Sequence, residues 1–158
     1  MNNPLSDEGY KLLAILGQAR HAIHTDRDRE LSQCGISSRK AIVLFIIQAI
    51  GDRATPAEIA RWLFRQAHGV SALISRMEKE GLVKKTKDPD YKTSVRVVLT
   101  EKGQQAYHES ANRDPVNKIM SSLSEEERRT LGTILLRLRD TALARLWIDT
   151  RLPYPPPE

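Results

Sequence analysis

A chain of 158 residues with 40% hydrophobic and 28% charged side chains has enough apolar material for one packed domain, and that mix is globular rather than disordered. Its net charge of +5 is concentrated between Arg53 and Lys102, where eleven Lys and Arg stand against six Asp and Glu, and so points to a polyanionic partner rather than to a merely basic average. A solvated basic face is the plain alternative. One cysteine excludes an internal disulfide, and "MNNPLSDEGYK" lacks the layout of a secretion signal, so a cytoplasmic location is expected.

In chain order, Ser6 followed by Asp7 and Glu8 predicts a helix start. Leu13, Leu16, Ala19, Ile23 and Leu31 then keep helical spacing on a stripe too thin to be a core by itself. "SSRKAIVLFIIQAIGD" carries a serine cap and an apolar body ending near Gly51; its run "AIVLFIIQAI" is too short to span a bilayer, so a buried helix is expected and no membrane partner. "TPAEIARWLF" places Thr55 at the cap, Pro56 at the first helical position and Glu58 at the third, which predicts reciprocal capping by Thr55 and Glu58. After "FRQ", "AHGVSALISRMEKEGL" turns Val70, Leu73, Ile74 and Met77 to one face, and Gly81 stops the helix in the left-handed conformation. Two short helices joined by a tight turn form a helix-turn-helix candidate.

"LVKKTK" and "SVRVVLT" are strand-like runs around the tip "DPDYKT", and a hairpin directly after a helix-turn-helix is a wing. Thr100 caps a further helix through "EKGQQAYHES". Ser124 and Glu127 predict a capping box ahead of Leu131, Leu135, Leu138, Ala142 and Leu146, and the proline-rich end "RLPYPPPE" cannot extend that helix. The predicted fold class is mainly α with a small β-hairpin wing: a winged helix-turn-helix lobe over 36–100, an N-terminal helix (1–35) and C-terminal helices (101–148) for dimerisation, and a tail at 149–158.

The order of elements, together with "SRMEKEGLV" and "DPDYKTSVRVVLTEKG", resembles the MarR family of winged-helix transcription regulators from about Leu12 to Leu146. The resemblance implies a homodimer whose first and last helices intertwine, with Leu13, Leu16, Leu131, Leu135, Leu138 and Leu146 in the interface, and double-stranded DNA as partner. It also implies a small aromatic or phenolic effector in the crevice between lobe and dimer helices. His24, Phe45 and Trp62 are candidate lining residues there, with ordinary packing as the competing reading. Repression at a pseudo-palindromic operator, with half-sites about 34 Å apart, is the expected mode of action.

With the apolar face of the second helix of the motif turned inward, its opposite face presents His68, Ser71, Ala72, Ser75 and Lys79. Gln66 lies near its start, and Arg76 beside the stripe resembles the family's phosphate- or brace-type arginine. Lys84, Lys85, Lys87, Lys92 and Arg96 are expected to meet phosphates, Arg96 being kept exposed by strand alternation opposite Val95 and Val97. Family wings usually carry an aspartate followed two positions later by an arginine. Here Tyr91 and Thr93 stand at those positions with Lys92 between them, a more strongly hydrated cation than arginine.

Gly69 costs about 1 kcal/mol in a helix interior relative to alanine, and either close approach to a phosphate or a loose first turn accounts for it. Cys34 invites a thiol-sensor reading beside the plainer one of a small packed residue, and His21, His24 and Asp28 have helical spacing that a metal site or an exposed polar face would equally produce. No metal and no cofactor is expected. Phosphate loops, zinc patterns and nucleophile motifs are missing from the sequence, which argues against an enzyme and leaves a winged-helix protein-interaction module as the alternative to a DNA-binding regulator.

Overall fold

The structure, a computed structural model, describes residues 7–87, 95–112, 115–146 and 148. Among them are seven α-helices and one two-stranded antiparallel hairpin: α1 (Glu8–Ser32), α2 (Ser38–Ile50), α3 (Pro56–Trp62), α4 (Ala67–Lys79), β1 (Val83–Lys87), β2 (Val95–Leu99), α5 (Glu101–Asn112), α6 (Pro115–Met120) and α7 (Glu125–Arg145). The mainly helical, winged-helix expectation is met. The wing tip with Tyr91, Lys92 and Thr93, the cap candidate Ser6 and the proline-rich tail lie outside the described residues.

Polar side chains set the helix starts. Asp7 rather than Ser6 is the cap of α1, its Oδ1 accepting from Gly9 N at 2.8 Å, and Ser37 caps α2. The α2 start has a second carboxylate: Asp28, four residues before the end of α1, accepts the Ser38 N–H at 2.9 Å. Contact with Ser38, through its side chain and its backbone N–H, holds the Asp28 carboxyl below its usual pKa.

At α3, Thr55 Oγ1 accepts from Glu58 N at 3.2 Å, but the reciprocal half of the predicted box is absent. The Glu58 carboxylate pairs with Arg61 at 2.6 Å, and the Thr55 N–H donates to Arg53 O. An arginine one turn on offers charge as well as a donor, so it outcompetes the cap amide. The Ser124–Glu127 box is complete, with bonds of 2.7 and 3.2 Å. The short helix α6 stands between the two C-terminal helices expected from the sequence, with Pro115 opening it.

The core gathers on α2, whose Val43, Leu44, Ile46 and Ile47 are buried, which is why its sequence is apolar on nearly all sides. Ile59 and Ala60 of α3, Val70, Ile74 and Met77 of α4, Val83 of β1, Val97 of β2 and Ala106 of α5 close around it. Each large side chain so buried contributes about 1.5–3 kcal/mol, so α4 is fixed in place by its three inward residues, with Leu73 half-buried beside them.

By contrast α1 and α7 leave their apolar residues uncovered: Leu13 is 62% exposed, Leu138 54% and Leu146 64%, with Tyr10, Leu12, Ile15 and Ile134 alike. No helix among the described residues is long and apolar enough to cross a membrane.

Candidate nucleic-acid interface

Helix α4 presents one polar face. His68, Ser71, Ala72, Arg76 and Lys79 are exposed, as is Gln66 at the cap position, where its side chain makes no capping bond. The first turn of α4 carries no acidic residue, so the positive end of the helix dipole stays open to an anion.

Phe64 lies in the turn before α4 with φ +51°, a left-handed conformation that costs a side-chain-bearing residue about 1–2 kcal/mol and where glycine is usual. It is also 46% exposed. Nothing in "FRQ" announced this residue, because φ is not readable from residue type.

Gly81, at φ +75°, ends α4 as its sequence predicts, and the chain passes into β1 in the register Val83↔Leu99, Lys85↔Val97. The exit is clamped from α5. Thr100 Oγ1 donates to Gly81 O at 2.5 Å and accepts the Gly103 N–H at 3.0 Å, while Lys102 Nζ donates to Glu80 O at 2.8 Å. Gly103 lets α5 approach the Leu82 backbone directly: a Cβ there would fall deep inside the Leu82 carbonyl oxygen and 2.9 Å from its carbon. Lys40 and Glu80, paired at 2.7 Å, add a bridge from α2 to the end of α4.

Of the predicted wing cations, Lys84 and Lys87 are exposed on β1. Lys85 is exposed as well, but its Nζ lies 3.0 Å from Glu78 Oε2 and donates to Ser75 Oγ at 2.9 Å, so it and Ser75, both predicted DNA contacts, are engaged with each other. Contact with Lys85, through its side chain and its backbone N–H, holds the Glu78 carboxyl below its usual pKa. Glu78 is a residue that the sequence reading missed, since its partner lies across the α4–β1 turn.

Arg96 is corrected from exposed to half-buried, with its Nε fully covered, whereas Val95 is 39% exposed. Simple alternation fails because β2 is flanked on both edges, by β1 and by the chain ahead of α3, where Val97 N donates to Ala54 O at 2.7 Å, so a side chain leaning over either edge meets protein.

Phe45 and Trp62 are half-buried against the core and His24 is exposed on α1. A cavity of about 340 Å³ opens elsewhere, between the turn after α1, the exit of α4 and the first turns of α5, and none of the three lines it. Its wall includes the half-buried Cys34, Glu80, Lys102, Gln105 and Glu109. The last four are already bonded within the protein, Glu80 to Lys40, Lys102 to Glu80 O, and Gln105 to Glu109 at 2.9 Å. Among the described residues no three His, Cys, Asp or Glu side chains converge as metal ligands, and Asp28, considered with His21 and His24, is turned to Ser38 instead.

A family model described as a winged helix DNA-binding domain matches residues 36–103. No curated protein sequence matches the chain significantly. Among solved structures, the organohalide-sensing RdhR-CbdbA1625 transcriptional regulator is similar in two states. Its 2,4-dichlorophenol-bound form is 33% identical, covering 95% of this chain and 90% of that one with a TM-score of 0.80, and its ligand-free form is 31% identical, covering 100% and 95% with a TM-score of 0.83. A mutant of MarR from E. coli, complexed with operator DNA, is 24% identical over 84% of this chain and 99% of that one, with a TM-score of 0.68, and shares the fold. The resemblance carried by "SRMEKEGLV" and the wing sequence thus extends over nearly the whole chain, which belongs to the MarR family of winged-helix, DNA-binding transcription regulators.

Proposed function

We propose that the protein is a homodimeric, sequence-specific regulator that represses transcription in the cytoplasm by occupying a pseudo-palindromic operator, and that a small aromatic or phenolic effector releases it. The observation that carries this reading is the exposed, mostly polar face of α4, from Gln66 through His68, Ser71 and Ala72 to Lys79, continued by Lys84 and Lys87 of β1. Such a face fits a major groove, where Gln and His reach base edges, Ala72 meets a thymine methyl, and Arg76 and the lysines lie toward phosphates. Lys92 at the wing tip would serve as the minor-groove cation.

The dimer reading, with residues 1–35 and 101–148 as its region and the lobe at 36–100 outside it, is supported by the uncovered leucines of α1 and α7. A monomer rarely leaves so much contiguous apolar surface in water. Effector control is supported by the relative crystallised with 2,4-dichlorophenol. The corresponding crevice here would draw on His24, Phe45 and Trp62.

The test is direct. Purified protein is mixed with random duplexes, and the retained fragments are sequenced and titrated at several salt concentrations. A recurrent inverted repeat is expected, with affinity falling steeply as salt rises, and Lys84→Ala and Lys87→Ala should each lower the salt slope by about one. Retention of all fragments alike refutes the regulator reading.

A further inference from the structure

Three of the polar groups at the DNA-facing surface are already committed to one another. Ser75 and Glu78 stand three residues apart on α4, which places them on neighbouring turns of one face, and Lys85 is the third residue of β1. Glu78 uses both carboxylate oxygens on this one lysine. Its Oε1 accepts the Lys85 backbone N–H at 3.0 Å, and its Oε2 stands 3.0 Å from the ammonium. The same ammonium donates to Ser75 Oγ at 2.9 Å.

Two consequences follow from elementary hydrogen-bond chemistry. An ammonium only donates, so Ser75 Oγ spends a lone pair on Lys85, and its own O–H is left as the group to offer outward. A Lys85 paired with a carboxylate adds no net positive charge, so its phosphate-neutralising value is cancelled where it stands, and pulling it away toward a phosphate would leave the Glu78 anion beside the DNA backbone.

We propose that Lys85 is a positioning residue for sequence recognition: held by Glu78, it fixes the wing to α4 and orients the Ser75 hydroxyl as a donor toward an acceptor on the DNA, such as the N7 or O6 of guanine or the N7 of adenine. This rests on the regulator reading above. It replaces the phosphate contact expected of Lys85 with a role in discriminating sequences, and it gives Glu78, an acidic residue on a DNA-facing helix, a reason to be there.

The decisive variant is Glu78→Gln, which frees Lys85 and raises the net charge by one. The probes are a duplex enriched from a random library by the wild-type protein and a scrambled duplex of the same composition. If Lys85 is a phosphate cation restrained by Glu78, freeing it strengthens binding to both duplexes and leaves their affinity ratio unchanged. If Lys85 positions Ser75, binding to scrambled DNA rises while the enriched-to-scrambled ratio falls about fivefold, the value of one oriented hydrogen bond. Ser75→Ala should lower the ratio similarly, and Glu78→Gln in that background should lower it no further. All three side chains are at least part exposed, so the variants should fold, and their melting temperatures check it. An unchanged ratio in Glu78→Gln, or full additivity with Ser75→Ala, overturns this inference alone; a wild-type ratio of one overturns the regulator reading and this inference with it.

Discussion

Replacing Gly103 by alanine is the most informative single change where α5 meets the lobe. In an open helix the substitution stabilises by up to about 1 kcal/mol. Here the new methyl would overlap the Leu82 carbonyl oxygen, from which a carbon needs about 3.3 Å or more, and would lie 2.9 Å from the carbonyl carbon as well. The obstacle is backbone and cannot rotate away, so α5 must retreat from the exit of α4. That retreat strains or breaks the Thr100 bond to Gly81 O, now 2.5 Å, and the Thr100 N–H bond to Leu82 O, now 3.2 Å. Overpacking costs about 1–3 kcal/mol and a lost bond about 1 kcal/mol, so after the helix-propensity gain of about 1 kcal/mol the net loss should be about 1–3 kcal/mol. In urea, at an m-value of about 2 kcal/mol/M, the unfolding midpoint should fall by about 0.5–1.5 M, compared at equal protein concentration. DNA affinity should fall further than the unfolded fraction explains, because the same clamp sets the tilt of α4. An unchanged or raised midpoint would refute the close-approach account of this glycine.

Gly69, with nothing near its absent side chain, is the counterpart: Gly69→Ala should stabilise the fold by about 1 kcal/mol in the same titration, and a simultaneous loss of DNA affinity would show that the backbone there approaches DNA. The Asp28 tie to α2 should be sensitive to acid. A carboxyl whose folded pKa is lowered contributes stability above the usual carboxylate range and loses it as pH falls through the folded value, so the melting-temperature gap between wild type and Asp28→Asn should be present at neutral pH and shrink below about pH 4; a constant gap would refute it. Leu138→Glu on the uncovered face of α7 should halve the sedimenting mass without unfolding the lobe, and an unchanged mass would count against α7 as the dimer surface.

Much of this architecture is legible in the sequence wherever the signal is local. Thr55, Thr100 and Ser124 each cap the helix they precede, Gly81 takes the left-handed turn, and the spacing of Val70, Ile74 and Met77 orients α4 before any coordinates are known. What escaped depends on pairs distant in sequence or on competition between partners. Glu58 had two candidate partners, each about one helical turn away, and took the charged one. Arg96 is half-buried because the segment around Ala54 lies against β2, a contact across more than forty residues. The Lys85, Glu78 and Ser75 cluster needs the hairpin folded back beside α4, so composition reported its charge without its use.

The bond from Val97 N to Ala54 O also has a bearing on solubility. "VRVVL" is a short, β-branched run of the kind that recruits other chains when its edge is open. One of its edges is zipped to β1, and the midpoint of the other is occupied by a carbonyl from the loop that leads into α3. That loop therefore acts as a gatekeeper against intermolecular β-pairing, and loosening it would first be seen as turbidity on storage, before any loss of helix is measurable.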